Sequence, residues 1–160
     1  MNIELKIIRE VSLEAEECYP EAVKLGDHAA YALQSRHRAQ LTGLENIAES
    51  TFKTSDILDY IKKQIARFSH WRRPDPTANN PQQGFGERLK DYLEQELPSR
   101  VERICERKRL NIGDATDEDK QWRRHIYLLL MRQVIRQIVV QYEYRVSLGN
   151  KQPDGAMSYA

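Results

Sequence analysis

TFKTSDILDYIKKQIARFSHWRR, residues 51–73, decides the fold class. Ile57, Ile61, Ile65 and Phe68 recur at spacings of four, four and three, which gathers them on one side of an α-helix. In a strand the final step of three would throw Phe68 to the opposite face. Thr54 or Ser55 can cap the helix start, because a short hydroxyl accepts a hydrogen bond from an N–H of the first turn. Asp56 and Asp59 suit the positive end of its dipole. The stretch then closes on His70, Trp71, Arg72 and Arg73, a cluster of cations and aromatics that needs an explanation.

The same helical spacing runs outward in both directions. Leu5, Ile8, Val11 and Leu13 predict a short first helix or extended arm, followed by the acidic run EAEE and by Pro20, which can open the next helix. Val23, Ala30, Leu33, Leu41, Leu44 and Ile47 then mark a helical pattern to about Ser50, weakened at Gly43. On the other side, RRPDPTANNPQQG (72–84) holds three prolines and almost nothing to bury, so it predicts a mobile surface linker. Phe85, Leu89, Leu93 and Leu97 lead to a break at Pro98, after which Val101, Ile104 and Cys105 continue the stripe. NIGDATDED (111–119) interrupts again, with Thr116 or Asp114 as cap for a long helix over 117–147. The last residues, 151–160, are expected to form a disordered tail. The expectation is an all-α helical bundle of about five helices, a single domain over 1–150.

Composition agrees. At 160 residues the chain can bury a core without metals or cross-links. Only seven glycines, with 31% charged residues, fit a helix-rich protein better than a sandwich, which needs turn residues at short regular intervals. Cys18 and Cys105 are far apart and lack any CxxC or Cys/His ligand spacing, so each reads as a small core side chain. No signal peptide or membrane span is legible in MNIELKIIRE, and a cytoplasmic location with reduced thiols follows as the expectation.

Catalytic motifs are missing: there is no HExxH, Walker loop or GxSxG, and none of His28, His37, His70 and His125 stands four residues from another. Asp114, Asp117, Glu118 and Asp119 lack the ligand order and central glycine of an EF-hand. The expectation is a protein that is not an enzyme and needs no cofactor or metal.

Charge distribution is more informative. The net charge is +1, so the molecule as a whole draws neither nucleic acid nor anionic lipid. Locally it is lopsided. Lys53, Lys62, Lys63, Arg67, Arg72 and Arg73 face only Asp56 and Asp59 within residues 53–73, whereas residues 1–21 set Lys6 and Arg9 against Glu4, Glu10, Glu14, Glu16, Glu17 and Glu21. Lys63 and Arg67 lie one turn apart, and His70 and Trp71 extend that surface as an aromatic platform, an arrangement suited to tracking a phosphate backbone. Arg132 and Arg136 repeat the spacing on the last helix, beside a polar strip of Gln133, Gln137 and Gln141. Either set can equally be a solvated or internally paired face.

FKTSDILDYIKKQI (52–65) resembles a helix start of the small helical subunit of type III, Csm-type, CRISPR effector complexes, and RQIVVQYEYR (136–145) is similar to that family's closing aliphatic-aromatic helix. Lys53 and Leu58 depart from the pattern, Leu58 standing where the family commonly has an arginine. The resemblance implies a non-catalytic all-α subunit of an RNA-guided ribonucleoprotein. It would contact target or guide RNA through Lys53, Lys62, Lys63, Arg67, Arg132 and Arg136, and would pack against other subunits and copies of itself. The alternative is a helical protein–protein adaptor or regulator with no nucleic-acid role.

Overall fold

The computed structural model describes residues 2–107 and 110–151. Six α-helices run in the order α1 (Ile3–Leu33), α2 (Arg38–Ser50), α3 (Thr54–Arg67), α4 (Phe85–Asp91), α5 (Leu97–Glu106) and α6 (Asp117–Lys151). A π-helical turn, Tyr92–Glu96, joins α4 to α5 without leaving helical conformation, so the six helices make five rods, an all-α bundle. Apart from Lys151, the expected tail lies outside the described residues.

The N-terminal half of the prediction needs correction. Ile7, Val11, Ala15, Cys18, Ala22, Leu25 and Ala29 are all buried, and their steps of three and four run straight through Pro20. That stripe holds one continuous 31-residue helix in spite of the missing N–H. Leu5, Ile8 and Leu13, which suggested a separate short element, are exposed. The break comes later, at Gln34, whose φ of 53° turns the chain into the 3₁₀ turn Ser35–His37. The Tyr142 hydroxyl donates to the Gln34 carbonyl and pins the corner. Pro98 causes no break: it sits at the start of α5 directly after the π-helical turn, and the rod continues through it. Thr116 does cap α6, its Oγ1 accepting from Asp119 N at 3.0 Å.

Helices α1 and α6 form the spine. Glu4 faces His125, Ser12 bonds Gln133, Ala15 bonds Gln137 and Asp27 bonds Gln141, so residue numbers rise together and the two rods are parallel. The polar strip of α6 is therefore spent on α1. Helix α2 lies antiparallel to α6, and α5 antiparallel to α1. Small residues let the spine close up. A Cβ on Gly26 would stand 2.5 Å from Gln141 Cβ and 2.8 Å from the Ile138 carbonyl oxygen.

The segment 72–84 is surface, but its base is closed rather than free. Pro74 and Gly84 form an antiparallel bridge and Phe85 N donates to Arg73 O at 3.1 Å. Trp71, expected as an exposed platform, is fully buried against Phe85. The reason is chemical: an indole is too large an apolar surface to leave wet when its N–H has an internal acceptor, here Gln40 Oε1 at 2.7 Å. Cys18 and Cys105 are buried and free, and burial pushes both thiols up.

His28 locks the loop to the spine. Arg88 Nη1 approaches its Nδ1 at 3.2 Å and can only donate, so Nε2 carries the proton and donates to Arg73 O at 3.0 Å. Burial, with Arg88 close by and Asp75 opposing it only weakly, holds the imidazole below its ordinary value of 6.5. Below that value the unfolded chain binds the proton and the folded one resists it, so stability is full above the unfolded pKa and is lost as pH falls through the folded one. We expect the urea midpoint to drop between pH 7 and pH 5, and His28→Gln to flatten that drop. A second expectation concerns the spine: Gly26→Ala gains helix propensity yet loses about 1–3 kcal/mol by urea denaturation, since α6 backbone must move.

Candidate nucleic-acid interface

Helix α3 turns Ile57, Ile61 and Gln64 inward and leaves Lys62, Lys63 and Arg67 exposed. None of these three cations has an ion-pair partner among the described residues. Asp59 shares the face, also without an ion pair, and dilutes its charge by one. At the start of the helix the expected hydroxyl cap is replaced. Thr54 is the first helical residue, and Thr51 Oγ1 bonds Asp56 Oδ2 at 2.6 Å and accepts from Lys53 N at 3.0 Å. Lys53 reaches Asp56 at 3.6 Å and is mostly exposed, so its charge is locally answered. At the far end Arg72 donates to the Ile65 carbonyl, which suits the negative end of the dipole.

The α6 arginines belong to a different structure. Arg132 Nε donates to Ala48 O at 2.6 Å and its Nη2 to Thr51 O at 2.8 Å, satisfying carbonyls that the end of α2 leaves orphaned. Arg136 Nη2 pairs with Glu49 Oε1 at 2.6 Å. The internally paired alternative therefore describes Arg132 and Arg136, and the exposed cations of the candidate set are Lys62, Lys63 and Arg67, with Lys53 at the edge.

The acidic N-terminal region is likewise spent inside the molecule. Arg107 reaches Glu10 and Glu14 at 2.8 Å each, Arg100 reaches Glu14 at 2.8 Å, Arg103 reaches Glu17, and Arg88 reaches Glu21. Glu4 meets only the His125 ring, at 3.5 Å, and Glu16 lacks an ion pair among the described residues. The sequence suggested an acidic surface for head-to-tail association; four of its six carboxylates already have cationic partners.

A feature the sequence reading passed over lies where α1 turns into α2. Ser35–His37 places Arg36 outward and stacks His37 on His70, ring centroids 3.6 Å apart and planes 5° from parallel. Arg36 and His37 carry no periodic signal, being two residues of a short turn. Their proximity to His70 is a tertiary fact.

Among the described residues no group of three or more His, Cys, Asp or Glu side chains is arranged to hold a metal ion, and no helix is long and apolar enough to cross a membrane. Compared with known proteins, the chain matches no family, no curated protein and no solved structure.

The two arginines of α6 separate in a stability measurement. Arg132→Ala should cost about 2–3 kcal/mol, for two lost charge-assisted bonds to carbonyls. Arg136→Ala, half-exposed, should cost less than about 1 kcal/mol. Urea denaturation of both variants checks this, and equal losses would contradict the assignment.

Proposed function

We propose that this chain is a non-catalytic helical subunit that lays the outer face of α3 along a single-stranded RNA backbone, within an RNA-guided CRISPR effector ribonucleoprotein. The observation that supports it is the contrast just described. Most arginines of α5 and α6 are answered by carbonyls or carboxylates, whereas Lys62, Lys63 and Arg67 stand exposed and unanswered on one rigid helix. Such a row meets phosphate without reading bases, so sequence choice would rest with guide pairing. The likeness of residues 52–65 and 136–145 to the small type III subunit names the assembly; the cations name the chemistry.

A cytoplasmic protein–protein adaptor is the competing reading, and one observation favours it. Leu5, Ile8, Leu13 and Tyr19 on α1, with Val140 and Tyr144 on α6, are exposed apolar side chains on neighbouring parallel rods. Exposed apolar side chains are what a protein contact surface is built from when they adjoin one another. The two readings part on salt. Three phosphate contacts give a log–log slope near −2 for single-stranded RNA. Fluorescence anisotropy with a labelled oligonucleotide measures it. Lys62→Glu, Lys63→Glu and Arg67→Glu together should abolish binding and slope at unchanged circular dichroism. Binding by the triple variant equal to the parent's at low salt would leave the adaptor reading in possession.

A further inference from the structure

The corner between α1 and α2 collects positive charge from two stretches far apart in sequence. Arg36 and His37 come from the turn before α2; His70 lies in the 3₁₀ turn Ser69–Arg72, with Arg73 directly after it. Phe68 also stacks with His70, ring centroids 5.3 Å apart. Gln40 Oε1 lies 2.6 Å from His70 Nε2 and already accepts from Trp71. A carbonyl oxygen has no proton to give, so Nε2 carries the hydrogen and Nδ1 is left as a lone pair. That Nδ1 has no partner among the described residues and is not shut off from solvent.

The surroundings offer no counter-charge. The groups whose charge acts on His70 are His37, Arg73 and Arg36, and all disfavour its protonation. The first turn of α2 contains no acid, and Glu143 on α6 is taken by Arg38 at 3.1 Å. Asp75, beyond Arg73, is bonded by the Thr77 amide and hydroxyl, and its charged neighbours are His28 and Arg88. Burial and the neighbouring cations keep His70 below the ordinary imidazole value. Two guanidinium groups and two imidazoles without an acid make a place that an anion completes.

We propose that this corner binds a phosphate group, with Arg36 and Arg73 as donors, and that binding draws one proton from solvent onto His70 Nδ1, turning its lone pair into a third donor. The bound anion reverses the sign of the field at the ring, which is what makes the protonated form favourable. The inference stands apart from the α3 face. A backbone phosphodiester would make the corner an extension of that face, and a terminal or free phosphate would make it a separate ligand site.

The test is an NMR titration of the imidazole signals between pH 5 and pH 8, with inorganic phosphate and with chloride at matched ionic strength. Phosphate should raise the His70 midpoint by about one unit over chloride, equivalent to about tenfold tighter binding of the anion by the protonated ring. Arg36→Gln, on an exposed turn, should reduce that shift, and Arg36→Gln with Arg73→Gln should remove it. Equal shifts in phosphate and chloride, or a shift unaltered in Arg36→Gln, would overturn the proposal, whatever becomes of RNA binding by α3. One short RNA, prepared with a 5′-phosphate and with a 5′-hydroxyl, distinguishes the sources. Weakening of both forms by Arg36→Gln assigns a backbone phosphate, and weakening of the phosphorylated form alone assigns a terminal one. Weakening of neither, with inorganic phosphate also unaffected, rejects the site.

Discussion

Glu14 sits in the middle of a long helix with no exposure to solvent, and Glu10 is nearly as deep. A carboxylate in that position costs several kcal/mol in lost hydration unless cations meet it at hydrogen-bond distance. Arg100 on α5 and Arg107, the residue that ends it, do so for two acids one turn apart on α1. The match works in one register. Sliding α5 by a turn would leave Glu14 buried without its bidentate partners, so the network fixes where α5 lies and, through the continuous helix that precedes it, where the π turn and α4 begin. Replacing the whole network with apolar side chains need not destabilise the bundle, since buried ion pairs specify an arrangement more than they stabilise it.

That constraint governs the surface as well. Because the N-terminal glutamates take the cations of α5, and α2 takes Arg132 and Arg136 of α6, those arginines add little to the surface charge, whereas Lys62, Lys63 and Arg67 on α3 and Arg36 at the α1–α2 corner are exposed without an ion pair among the described residues. A local excess of this kind matters more to a phosphate than the sum does, since exposed charges are screened beyond roughly 8–10 Å at ordinary ionic strength.

Periodicity made the helices legible, because burial selects the same spacing wherever it acts. The all-α class and the α3 stripe follow from it, and the Thr116 cap follows from the hydroxyl placed just before a helical run. Pro20 misled because a proline lowers helix propensity while a buried stripe on both sides of it stabilises the helix by more. Trp71 misled because composition around it was polar, whereas its burial depends on Gln40, which lies 31 residues earlier in the chain. The charge pairings were illegible for the same reason. A one-dimensional count sees Arg132 and Arg136 as a basic face; only the antiparallel docking of α2 reveals that their acceptors are the end of that helix. Of the candidate site, the α3 cations were readable and the His37–His70 stack was not.

The exposed apolar side chains are spread along the whole spine, and only some of them lie near the cationic corner. Leu5 and Ile8 occupy the first turns of α1, and the cationic corner follows its last residue, Leu33. At 1.5 Å per residue the separation from Ile8 to Leu33 is roughly 38 Å along one rod. Leu5 and Ile8 therefore lie far from the corner, whereas Val140 and Tyr144 flank Glu143 close to it. Because α6 runs parallel to α1, its capped N-terminus lies beside the apolar end and Glu143 beside the corner, so the spine carries the same polarity in both of its helices.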